Sequence, residues 1–172
     1  IALELGLSPG FVELIAEAAP LHDIGKLGIS NETLLRPNAL SGTEEETMRR
    51  HTAVGARILG GSETPSLRLA EQIALTHHER WDGQGYPEGL SGEEIPIGGR
   101  ITSVADAFDG LMYGRAYREP RVVDEALGEI KAESGARFDP AVVGAFLRLD
   151  HIELLAPIRD WAAWRTGAPP RS

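Results

Sequence analysis

The sequence predicts an all-α fold, a single-domain bundle of about six to eight helices. Every long segment carries apolar residues at helical spacing, and none alternates as a strand does. Helix-start signals recur between these segments, Ser8-Pro9 and Asp139-Pro140 being the plainest. A chain of 172 residues is long enough for one well-buried core.

Ile1 to Leu5 followed by Gly6 reads as the end of a helix already under way, as expected of a piece of a longer polypeptide. Ser8 is placed to cap the next helix, with Pro9 in its first turn. Phe11, Ile15, Ala18 and His22 form its inward stripe, and Pro20 should bend it late. Gly25 and Gly28 end that run. Overlapping capping-box patterns, Ser41 to Glu44 and Thr43 to Glu46, open a second helix with Met48, His51, Gly55, Ile58 and Leu59 on one face and Gly60-Gly61 at its end.

A third helix from Pro65 carries Leu67, Ala70, Ala74 and His77 on its buried face, with His78 alongside. Asp82 to Gly99 contains six glycines and is too long for an idle connector. From near Gly98 a two-faced helix sets Ile101, Val104, Ala105, Phe108 and Met112 against a polar line of Thr102, Asp106, Asp109 and Tyr113. Asp124 caps a helix to about Ser134, and Asp139-Pro140 another through Leu149. The tail, 150–172, with Trp161 and Trp164 one turn apart, reads as a short helical extension packed on the bundle.

Composition removes several functions. With no cysteine there is no disulfide framework, zinc-thiolate site or cysteine nucleophile, so any metal is held by His and carboxylates. A formal charge of -9 argues against a nucleic-acid binder, and no apolar run approaches the ~20 residues that span a bilayer. Four of the five histidines, His22, His51, His77 and His78, fall on inward helical faces, joined by Asp23 and Asp106. Burying that set without a cation would leave many polar groups unsatisfied. Adjacent residues diverge by about 100° on a helix, so His22/Asp23 and His77/His78 are expected to serve separate ions of a cluster of two or more, with a carboxylate such as Asp23 able to bridge. Cations in such a cluster bring the pKa of bound water from 15.7 to about 7, which suits phosphoester hydrolysis. His151 has no such company and is read as lying outside the site.

Leu21-His22-Asp23-Ile24-Gly25-Lys26, His51, His77-His78-Glu79-Arg80-Trp81-Asp82-Gly83-Gln84-Gly85-Tyr86-Pro87, Ala105-Asp106-Ala107-Phe108-Asp109 and Arg115-Ala116-Tyr117-Arg118 occur in an order that resembles the HD-GYP family of metal-dependent cyclic di-GMP phosphodiesterases. The resemblance covers 1–149 and implies an HD-domain-like bundle. It implies His22, Asp23, His51, His77, His78 and Asp106 as ligands of two or three divalent ions, iron or manganese first, with zinc also fitting, and Asp23 as the bridge. It implies Lys26 against the substrate phosphate, Arg115 and Arg118 on phosphate or guanine, and Tyr86 at the lip of the pocket. Asp23 and Lys26 would carry catalysis, giving pGpG and, after a second cut, GMP. Asp82 and Asp109 would orient ligands or the loop.

Two departures accompany it. Ala116 stands where the family usually has Pro, and a further family histidine falls before Ile1, with Glu4 in the wrong register to replace it. The resemblance also implies bacterial cytoplasmic signalling, an upstream sensor or receiver domain, and diguanylate cyclase partners at the Gly-Tyr-Pro loop. The alternatives are a weakly catalytic or non-catalytic module that binds cyclic di-GMP or a cyclase, and an HD hydrolase of another nucleotide.

Overall fold

The computed structural model describes residues 1–34, 42–113, 121–151 and 153–155. Among these the protein is all-α, with eight helices and no strand. They are α1 (Pro9–Ala18), α2 (Asn31–Leu34), α3 (Thr43–Arg49), α4 (His51–Leu59), α5 (Pro65–Thr76), α6 (Ile97–Tyr113), α7 (Val123–Ala132) and α8 (Pro140–Leu147). Arg115, Ala116, Arg118, Trp161 and Trp164 lie outside the described residues.

Ser8 Oγ accepts the Phe11 N–H at 3.3 Å, and Asp139 accepts that of Ala141 at 2.7 Å, so both predicted caps are made. Pro20 acts as expected: α1 stops at Ala18 and the chain tightens into a 3₁₀ turn over Ala19–Leu21. Other boundaries differ. Thr43 is the first helical residue of α3, with Gly42 at the cap and no side chain capping it. The helix predicted to run unbroken to Gly60-Gly61 is divided at Arg50, between α3 and α4. Asp124 does not cap α7; Val122 holds that position and Asp124 sits in the first turn, where its charge complements the helix dipole.

The core is built from α1, α5, α6, α7 and α8, with Ile73, Val104, Ile130 and Val142 at its centre. Beneath the histidines the packing is backbone on backbone. A Cβ on Gly25 would stand 1.9 Å from the His51 carbonyl oxygen and 2.4 Å from the Gly55 nitrogen. The place where a Gly55 Cβ would stand is in turn 3.2 Å from the Ala74 Cβ. Asp23 lies two residues before Gly25, His51 four before Gly55 and His77 three after Ala74, so one tight crossing sets three ligand candidates. On the far side of α5, Gly99 leaves no room for a side chain against Thr76, whose Oγ1 a Cβ there would meet at 2.3 Å. That approach draws α6 against the end of α5.

Candidate metal centre

The histidines stand at helix ends. His22 follows the 3₁₀ turn, His51 is the first residue of α4, and His77 closes α5 as its C-terminal cap. This corrects the 100° argument for His77/His78. The helix stops at Thr76, the chain turns, and the two rings come together with centroids 4.1 Å apart. One nitrogen from each of His51, His77 and His78 lies within 4.8 Å of the others, a group that can hold a metal ion.

Proton placement follows from the partners. The Nδ1 of His22 lies 2.9 Å from the Ala19 carbonyl, that of His51 2.7 Å from the Met48 carbonyl, and that of His77 3.0 Å from the Ile73 carbonyl. A carbonyl only accepts, so each Nδ1 carries the proton. In the neutral rings of His51 and His77 the Nε2 lone pair therefore faces the centre, the arrangement usual for metal-bound imidazole.

The His51 and His77 Nε2 atoms lie 3.3 Å apart. They face Asp23 Oδ1 at 3.4 and 3.9 Å. That oxygen is buried without a hydrogen-bond partner. Two lone pairs and an orphaned carboxylate oxygen pointing at one another are a set of donors suited to a cation.

On the other side Asp23 Oδ2 pairs with Lys26 Nζ and lies 3.4 Å from His22 Nε2, which is also 3.8 Å from Asp106 Oδ1. Burial alone would lower the His22 pKa, but Asp106 and Asp23 overcome it and hold it up at about 10. Burial would raise Asp23; His22 and Lys26 outweigh that and keep it well below the usual carboxylate range. The two carboxylates thus favour positive charge between them, which a proton on His22 supplies. His77 is lowered to about 4 by burial and by the neighbouring His22 and His51. His51 and His78 are lowered too, burial being the main cause in each. These three are neutral, as ligands must be.

The glycine-rich loop closes on this group. Tyr86 stacks on His78 with centroids 4.9 Å apart and 28° between planes, and the Arg49 guanidinium lies over the Tyr86 ring at 4.9 Å. Asp82 takes two bonds from Arg80, at 3.0 and 2.7 Å, and one from the Gln84 N–H at 3.0 Å. Sequence reasoning left two features out. Glu79 is 2% exposed and accepts the Glu88 and Leu90 N–H groups at 2.7 and 3.1 Å, lacing the loop to the residue after His78. Arg49 and Arg137 join His78, Arg80, Gln84 and Tyr86 around a cleft of about 540 Å³ beside the cluster. Glu79 was legible in the motif, as a buried acid between a ligand pair and a loop; no spacing signals Arg49 or Arg137. Glu4 pairs with Arg148. Asp109 is exposed on α6.

Comparison with known proteins identifies relatives of this chain. The family model described as HD domain matches residues 1–142. The chain is 53% identical over 150 residues to a cyclic di-GMP phosphodiesterase of Thermotoga maritima, covering 87% of this chain and 41% of that protein. It is 47% identical over 148 residues to a cyclic di-GMP phosphodiesterase response regulator of Xanthomonas campestris, covering 86% and 39%. The chain thus spans about two fifths of the length of these curated relatives. The crystal structure of a cyclic GMP-AMP specific phosphodiesterase of V. cholerae superposes with a TM-score of 0.59 at 26% identity, over 94% of this chain and 42% of that one. With the order of the His-Asp, His-His and Gly-Tyr-Pro motifs and the bundle that assembles them, these matches place the chain in the HD-domain family, in its HD-GYP branch.

Proposed function

We propose that this chain is a metal-dependent phosphodiesterase that hydrolyses cyclic di-GMP to linear pGpG, with GMP after a second cut. The observation that carries the reading is the pair of Nε2 atoms 3.3 Å apart, facing an unpartnered Asp23 oxygen. Such a site has use for divalent cations, and iron or manganese suits its imidazole and carboxylate donors. The names of the relatives supply the substrate.

In this reading His51, His77 and His78 would hold one ion and His22 and Asp106 a second, with Asp23 shared between them. Bound cations would supply Lewis acidity and a water acidic enough to attack phosphorus near neutral pH. The chain's own residues do the rest. Nδ1–H bonds to Ala19, Met48 and Ile73 fix the orientation of three rings; the Nε2 of His51 and of His77 is ready without a proton to shed, whereas His22 would give up its Nε2 proton to a cation. Lys26, on the Asp23 Oδ2 edge, sets a positive charge where phosphoryl oxygens gain negative charge in the transition state. Arg115 and Arg118 belong to the same proposal as phosphate or guanine contacts. The Gly-Tyr-Pro loop is taken as the contact for cyclase partners, and the longer relatives leave room for a sensor or receiver domain.

The test is chromatography of cyclic di-GMP incubated with protein reconstituted anaerobically with ferrous iron or with manganese, beside a chelated control. Metal-dependent pGpG is the expected outcome. Folded, metal-loaded protein that forms no product would overturn the reading.

A further inference from the structure

The cleft beside the cluster carries a charge opposite to that of the chain. Against a net charge of -9, three of its lining side chains are arginines, Arg49, Arg80 and Arg137. Its one carboxylate, Glu79, is engaged with loop N–H groups. At about 540 Å³ it has the size of a small-molecule site. His78 belongs both to the cleft wall and to the histidine group, so a ligand held at the cluster extends into the cleft.

The three arginines are not equivalent. Arg80 is committed to Asp82 through two hydrogen bonds. Arg137 lies over the Phe138 ring at 4.8 Å, and its carbonyl holds the Trp81 N–H. Arg49 ends α3 two residues before His51. Its Nη2 is anchored by Glu45 at 2.6 Å and its guanidinium lies over Tyr86, which stacks on His78. Among the described residues no other ion pair or hydrogen bond engages that guanidinium. It is a planar fork, oriented in advance at a cleft wall and ready to meet two acceptors side by side.

We infer that Arg49 is a specificity-determining residue that selects guanine over adenine at one nucleoside of the cyclic dinucleotide. Guanine presents O6 and N7 as adjacent acceptors, the pattern an arginine fork matches, whereas adenine puts an amino donor in place of O6. A phosphate would also accept from the fork, but the nucleobase would then make no difference to it. The inference rests on the proposed cyclic-dinucleotide reading and deepens it.

The experiment measures equilibrium binding of cyclic di-GMP, 3′3′-cyclic GMP-AMP and cyclic di-AMP to chelated protein, and turnover of the same three by the manganese-loaded enzyme. It compares wild type with Arg49→Ala and with Arg49→Lys, which keeps the charge but not the fork. The expected result is a guanine preference in wild type that falls about tenfold or more in both variants. Equal weakening toward all three ligands would assign Arg49 to phosphate and overturn the inference, as would an unchanged preference. Circular dichroism checks that each variant is folded, and the partly exposed position of Arg49 at a helix end favours this. Guanine-selective binding without turnover would sink the hydrolase reading and leave this inference standing. Turnover without base preference would do the reverse.

Discussion

Two histidine environments in this protein share burial and a backbone hydrogen bond and differ in what surrounds the rings. His51 and His77 are 1% exposed and His151 is 6% exposed, and all three are made harder to protonate, chiefly by burial. Around His51 and His77 there are further imidazole nitrogens and a carboxylate oxygen, Asp23 Oδ1, without a hydrogen-bond partner. Around His151 there are the rings of Phe108 and Phe146, with centroids at 5.5 and 4.6 Å, and among the described residues its Nε2 has no hydrogen-bond partner. Burial of a histidine therefore says little about ligation. What separates the two is whether the inner ring nitrogen faces other donor atoms or faces carbon.

The largest effect that distinguishes them is on turnover. Asp23→Ala removes the oxygens that face both halves of the cluster and should lower pGpG formation at least about a hundredfold, measured by chromatography. His151→Phe should stay within about threefold of wild type; a loss as deep as that of Asp23→Ala would erase the distinction. Next comes stability at the crossing below the cluster. Gly25→Ala drives a methyl group into the His51 carbonyl and the Gly55 backbone and should destabilise the fold by about 1–3 kcal/mol or more in urea unfolding.

Third is metal linkage. Manganese at a hundred times its Kd should stabilise wild type by about 2.7 kcal/mol, seen as a rise in Tm. His77→Ala should lose most of that rise, and His151→Phe should keep it.

The smallest effect is on acid stability of the chelated protein. The folded pKa of His151 is depressed below 6.5 by burial, with Asp150 opposing. The unfolded chain therefore takes up the proton first, and this histidine costs stability as pH falls below about 6.5. His77, lowered to about 4, acts in the same direction between 6.5 and 4. His22, held up at about 10, acts oppositely: its contribution is full below 6.5 and is lost as pH rises through 10. His151→Phe should thus flatten the acid limb of stability between pH 7 and 5, measured by urea unfolding. An unchanged limb would mean that His151 takes up its proton without leaving its place between the rings.

The fold was largely readable from the sequence because its signals are local. Ser8-Pro9, Gly60-Gly61 and Asp139-Pro140 punctuate helices through contacts within four residues, and most of the apolar stripes are buried, Ile58 and Ala105 being the exposed exceptions. The structure gathers the six residues implied as ligands, and their geometry was less readable than their grouping. A rule derived from continuous helix cannot foresee that α5 stops one residue before His77, and that stop lets two adjacent rings converge. The cleft was less legible still. Arg49 and Arg137 come from helices and turns far apart in sequence, and nothing periodic connects them. Glu79 was in view within the His-His-Glu motif, but its role depends on the loop returning to it nine and eleven residues later.

The crossing of Gly25, Gly55 and Ala74 bears on how a mutational scan of this domain would read. Gly25 carries no functional group, yet every substitution there displaces the backbone that seats Asp23 and His51. Scored by activity alone, it would rank with Asp23 and pass for a catalytic position. Scored by activity per folded molecule, the two would part company, because one change empties the site of a ligand and the other takes away the floor it stands on.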